Sequence, residues 1–153
     1  MNTIIVRHRR ENLRKCSLKG LENHPDLRFF TYPLQQLPDL RSYVLLEIGA
    51  PVLSIEDQAY GLLLLDGTWE LTKTMRKILP STILSRSLPA RFKTAYPRKQ
   101  TGCPDPNQGL ASVEALYVAH TILKRSTEGI LKHYYWEKEF LKNNDNFKRF
   151  LCL

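Results

Sequence analysis

The stretch Gly61-Leu62-Leu63-Leu64-Leu65-Asp66-Gly67-Thr68-Trp69 decides the fold. Its apolar residues are continuous rather than alternating, the mark of a strand covered on both faces, as in a parallel sheet. Asp66-Gly67 breaks the strand. From Thr68 to Leu79 the residues Leu71, Met75, Ile78 and Leu79 then recur at helical spacing, closing at Pro80. A buried strand turning straight into an amphipathic helix is the repeating unit of α/β proteins.

The flanking segments extend that unit. Upstream, Thr3-Ile4-Ile5-Val6 is β-branched and predicts a first strand, and Leu27–Tyr32 a second, stopped by Pro33. Ser42–Ile48 predicts a third, ended by Gly49 and Pro51, and Ser54-Ile55-Glu56-Asp57 has the S-x-x-D form of a short helix start. Downstream, a strand is expected near Arg91–Ala95, a loop rich in Pro, Gly, Asp and Asn from Tyr96 to Gly109, and helices over Leu110–Lys124 and Thr127–Asn143. No repeat or linker interrupts the chain. The expectation is one compact domain over 1–153, with residues 1–40 as an N-terminal strand/helix part. Its fold class is α/β, a three-layer sandwich with a largely parallel sheet.

Composition narrows the class. In 153 residues, 42% are hydrophobic, enough for a core, which excludes a disordered or collagen-like chain. No apolar run approaches the roughly 20 residues of a membrane helix. Cys16, Cys103 and Cys152 are odd in number and lack C-x-x-C spacing, so the expectation is no disulfide scaffold, no structural metal and a reducing, cytoplasmic setting. The formal charge of +8 points to a polyanionic partner. Lys73 to Pro104 holds eight cations and no acid, whereas Ser42 to Thr72 holds five acids and no Lys or Arg. Surfaces usually intersperse the signs, so the basic run favours nucleic-acid contact over a plain solvated face.

Chemistry concentrates at two strand or loop ends. Asp66 lies where a buried strand ends, and ligands of open α/β sheets gather outside such carboxyl ends. Asp66 or Thr68 can equally cap the following helix, with Trp69 in the core. An indole beside a crevice can also face a cation or a base. Gly109-Leu110-Ala111-Ser112-Val113-Glu114-Ala115 is a loop-to-helix junction where Ser112 reads as N-cap. There is no glycine-rich phosphate loop, and His8, His24, His120 and His133 show neither ligand spacing nor a Ser-His-Asp pattern.

Asp66-Gly67-Thr68-Trp69 and Leu110-Ala111-Ser112-Val113-Glu114-Ala115 resemble the D-x-[ST]-W and L-S-x-x-E-A signatures of the DTW-domain superfamily. Within it the chain is most similar to the small-subunit ribosomal RNA aminocarboxypropyltransferases. Lys15-Cys16-Ser17-Leu18-Lys19 resembles that family's K-x-C-[ST]-G-x-K-L, Leu53–Asp57 its L-S-P-x-D, and Trp136 through Phe140-Leu141 to Asn143 or Asn144 its W-x-x-x-F-L-x-x-N. Gly67-Thr68 stands where Cys-Ser is usual, and Tyr96-Pro97-Arg98-Lys99-Gln100 resembles the tRNA-modifying members.

The resemblance implies a SPOUT-like fold with a C-terminal trefoil knot, residues 41–153 forming the knotted cofactor-binding part. It implies transfer of the 3-amino-3-carboxypropyl group from S-adenosylmethionine to a uridine or pseudouridine-derived base, rRNA favoured. Asp66 would be catalytic, as base or as orienter of the cofactor. Ser17, Leu46, Asp66, Trp69, Leu88, Leu110, Ala111 and Ser112 would bind the cofactor, with Trp69 on the sulfonium methyl. Arg14, Lys15, Lys19, Arg86, Arg91, Arg98 and Lys99 would contact RNA. The alternatives are a tRNA-uridine aminocarboxypropyltransferase, an RNA methyltransferase with the same cofactor, and a non-catalytic RNA-binding module.

Overall fold

A computed structural model describes residues 2–14, 16–97 and 109–145. Lys15, Arg98, Lys99 and most of the Tyr96–Gly109 loop lie outside the described residues. In chain order the elements are β1 (Thr3–His8), β2 (Leu27–Tyr32), β3 (Tyr43–Leu46), a 3-10 turn (Ile55–Asp57), β4 (Gly61–Asp66), α1 (Trp69–Arg76), β5 (Leu84–Arg86), α2 (Ser112–Ile122) and α3 (Glu137–Asn143). The five strands form one sheet in the order β2-β1-β4-β3-β5, and every pairing is parallel.

The continuous apolar run of β4 is explained by its place at the centre. Leu62 and Leu64 join a large cluster on one face with Ile5, Val44, Val113, Leu116 and Phe140. Leu63 joins Ile4, Val6, Leu45, Met75 and Leu79 on the other. Successive residues of a strand point to opposite faces, so both sides of β1, β3 and β4 are buried and the layers are helix, sheet, helix. α1 covers one face, and α2 and α3 cover the other. Thr68 caps α1, its hydroxyl accepting from the Leu71 N–H at 3.4 Å. Ser54 and Asp57 form the reciprocal capping box expected for the short turn.

Three expectations are corrected. No strand forms over Arg91–Ala95. The Lys93 N–H and C=O bond the Asn144 amide at 2.8 and 2.9 Å, and the Ala95 N–H bonds Glu114 Oε2 at 2.8 Å. Those side chains satisfy the backbone groups a sheet ladder would need. The fifth strand is instead Leu84-Ser85-Arg86, which pairs with β3. Thr127–Asn143 is not one helix: Gly129 sits at φ +78°, the chain continues through turns such as Ile130 N–H to Thr127 C=O, and only Glu137–Asn143 is helical. β3 also stops at Leu46, short of Ile48.

Candidate functional site

The sheet order locates the crevice. β1 and β4 are neighbours, but from β1 the chain runs outward to β2, whereas from β4 it runs the other way, through α1, to β5. Connections that diverge from adjacent parallel strands open a cleft at their carboxyl ends, the topological switch point. Arg7 of β1 and Asp66 of β4 are register partners there.

Asp66 is buried and anchors a network. Its Oδ2 accepts from Arg7 Nε at 3.2 Å and from Cys16 Sγ at 3.2 Å, and its Oδ1 accepts from Ser112 Oγ at 3.0 Å. Arg7 also reaches Glu22 Oε1 at 3.3 Å, and its guanidinium lies 4.8 Å from the Phe29 ring centroid. Burial and the neighbouring Asp66 charge push the Cys16 thiol up to about 12, so it remains a protonated donor rather than a nucleophile.

Ser112 does not cap α2. The N-cap is Ala111, which has no side-chain oxygen, so a single capping arm forms: Glu114 Oε1 accepts from the Ala111 N–H at 2.7 Å. Ser112 is thereby released to bond Asp66. Ser17 joins the same junction, its hydroxyl accepting from the Val113 N–H at 3.2 Å. Glu114 is fully buried and also receives Thr94 Oγ1 at 2.6 Å and Tyr134 Oη at 2.9 Å, which fixes the start of α2 from behind. Asp66, Ser17, Ala111 and Ser112 are therefore brought together from β4, the β1–β2 connection and α2.

Leu46, Leu88 and Leu110 are half-buried and pack on the α2-side cluster. Trp69 opens α1 and belongs to neither core cluster; its ring has Lys73 Nζ 5.4 Å from the centroid, and its Nε1 is shielded from solvent without a partner. Of the basic residues, Arg14, Lys19 and Arg91 are exposed. Arg86 differs: its Nε is held by Asp57 at 3.1 Å, so its charge is engaged within the fold.

Sequence reasoning missed Arg7, Cys16 as a donor to Asp66, and Glu11. Arg7 carried a signal, being a cation ending a strand buried on both faces. Glu11 follows β1, and its Oε2 is shielded and unpartnered. A Cβ on Gly67 would stand 3.2 Å from Leu71 Cβ and 3.7 Å from Glu11 Oε2, so the turn is closely covered. Two recesses lie elsewhere, one lined by residues including Phe92 and Phe140 and one of about 250 Å³ beside Thr3, His120 and Arg125. The Asp66 crevice is defined by strand ends and a polar network rather than by either recess.

No protein-family model matches the chain, and no curated protein matches it by sequence. Among solved structures, the backbone is similar to that of the SAM-dependent rRNA:acp-transferase Tsr3 from Vulcanisaeta distributa, with a TM-score of 0.72 at 18% identity. The match covers 97% of this chain and 81% of that one. The two share a fold.

Proposed function

We propose that this protein moves the 3-amino-3-carboxypropyl group from S-adenosylmethionine to a uridine or pseudouridine-derived base of RNA, ribosomal RNA first. The observation that carries this reading is Asp66 at the switch-point end of β4, tied by Ser112 to the start of α2. Its support is the likeness to an rRNA:acp-transferase together with the signature residues at this junction.

The residues present fit a cofactor with an apolar purine and a cationic reactive end. Leu46, Leu88, Leu110 and Ala111 offer apolar surface for adenine, and the Trp69 face suits a sulfonium methyl. The hydroxyl of Ser17 is engaged by Val113, so its role toward the amino-acid end falls to its backbone. The cofactor, when bound, supplies an electrophilic alkyl carbon, and the site selects the aminocarboxypropyl chain by orientation. Arg14, Lys19 and Arg91, with Lys15, Arg98 and Lys99 outside the described residues, contact RNA phosphates; Arg86 serves the fold. The knotted C-terminal path and a cytoplasmic location belong to the same reading.

Nucleoside mass spectrometry of rRNA and tRNA from cells with and without the protein tests it. The expected result is an aminocarboxypropyl nucleoside in rRNA that disappears with the gene. The same nucleoside in tRNA alone would move the substrate, and a methyl increment would replace the reaction. Calorimetry showing no S-adenosylmethionine binding would leave an RNA-binding module.

A further inference from the structure

Among the described residues, Glu11 Oε2, Trp69 Nε1 and Arg125 Nη1 are shielded polar side-chain atoms without a partner. The first two belong to the connections that diverge at the β1–β4 switch point. Leaving such a group dry and unpaired is costly, and the cost is tolerated where a ligand brings the missing partner. Asp66 presents the opposite case. Arg7, Cys16 and Ser112 occupy three of the roughly four acceptor positions of a carboxylate. Little of it is left to receive a proton from a substrate. Glu11 has an oxygen without a partner over Gly67, shielded as it stands but carried on a side chain that is only half-buried, so that rotation presents it to the cleft.

We propose that Glu11 is the proton acceptor for the base nitrogen that becomes alkylated, while Asp66 is the positioning residue that holds Arg7, Cys16 and Ser112. This rests on the transferase reading above. The step balances: the ring N–H bond breaks, an O–H bond forms on Glu11, and the electron pair stays on nitrogen as the nucleophile. Burial raises Glu11 above the ordinary carboxyl range; Asp66 on β4 raises it further and Arg7 on β1 lowers it. A carboxyl moved toward neutrality is a stronger acceptor at physiological pH than an ordinary one.

Glu11→Gln tests the assignment through three readouts. An ionised, unpaired Glu11 burdens the folded state, and because its folded pKa is raised, the burden is absent below about pH 4.5 and grows as pH rises. The variant should therefore melt above the parent at pH 8 and with it at pH 4. Its S-adenosylmethionine affinity by calorimetry should stay within about threefold of the parent's. Single-turnover modification of rRNA from cells lacking the protein should fall about 100-fold or more and lose its rise with pH on the acid side. Glu11→Asp should recover part of the rate. Modification at the parental rate overturns the assignment of Glu11 alone, as does loss of cofactor affinity, which would make Glu11 a cofactor ligand. A parent protein that modifies no RNA overturns the transferase reading and this inference with it, whatever the melting curves show.

Discussion

Ser112 Oγ stands 3.0 Å from Asp66 Oδ1, joining the first turn of α2 to the end of β4 across 46 residues. That bond binds the C-terminal helical layer to the carboxyl end of the sheet. Ser112→Ala is expected to cost about 1.5–3 kcal/mol in denaturant unfolding, the range for a hydrogen bond to a charged acceptor. A double-mutant cycle with Asp66→Asn should show the two effects to be non-additive.

Asp66→Ala is expected to abolish modification and also to destabilise the fold. Arg7, with side-chain exposure of 12%, would lose its buried carboxylate partner and keep only the more exposed Glu22. Removing one partner of such a pair costs on the order of 3 kcal/mol. Thermal melting should separate this from Glu11→Gln, which leaves the Arg7 pair intact; an unchanged melting temperature in Asp66→Ala would contradict the network.

Cys16 should be inert in the native protein. A thiol moved from 9.0 to about 12 carries roughly a thousandfold less thiolate at pH 8. In a Cys103→Ser/Cys152→Ser background, labelling by iodoacetamide should be about that much slower than in urea. Rapid native labelling would show that the thiol is not held against Asp66.

His120 links the opposite end of β1 to α2. Its Nδ1 donates to the Ser126 carbonyl at 3.0 Å, so in the neutral ring Nε2 accepts from Thr3 Oγ1 at 2.9 Å. Burial chiefly, with Arg125 and His24 adding to it, lowers its pKa below 6.5, against the raising effects of Ser126 and Asp26. A base with a depressed folded pKa stabilises above its unfolded value and loses that contribution as pH falls. The urea midpoint should therefore decline from pH 7 to pH 5, and His120→Gln should flatten the decline.

RNA affinity should fall with salt, and Arg14→Ala, Lys19→Ala and Arg91→Ala should each flatten that dependence without moving the melting temperature. Arg86→Ala should behave differently and lower the melting temperature, because Asp57 is buried against it. A variant set in which Arg86→Ala alone altered the salt slope would reverse these assignments.

The sheet was legible where burial writes itself into sequence. The Leu62–Leu65 run announced a two-sided strand and Pro33 marked a real end, whereas α1 stops at Arg76, short of the expected Leu79. β5 was not legible, because Leu84-Ser85-Arg86 is a short, half-buried edge with no apolar pattern. The segment Arg91–Ala95 looked like a strand, but side chains 19 to 51 residues away in sequence take its backbone hydrogen bonds. The candidate site was half legible. Asp66 stands at a recognisable strand end, yet its partner Arg7 is set by the β1–β4 register and Cys16 reaches it from the β1–β2 connection, neither of which a one-dimensional pattern encodes. Ser112 was assigned to the right place with the wrong bond, since only the structure shows that its hydroxyl turns to Asp66 while Ala111 caps.

The strand order has a consequence during synthesis. β1 is made well before its inner neighbour β4, which begins only at Gly61, and before α2, which carries the Thr3 partner His120 and begins at Ser112. The nascent chain must therefore carry the apolar segment Thr3-Ile4-Ile5-Val6 with one edge open until β4 has been made. Native contacts so distant in sequence make for slow closure and a long interval of vulnerability to mispairing. The Arg7-His8-Arg9-Arg10 cluster directly behind that segment places like charge beside the open edge, which disfavours pairing between unfinished chains.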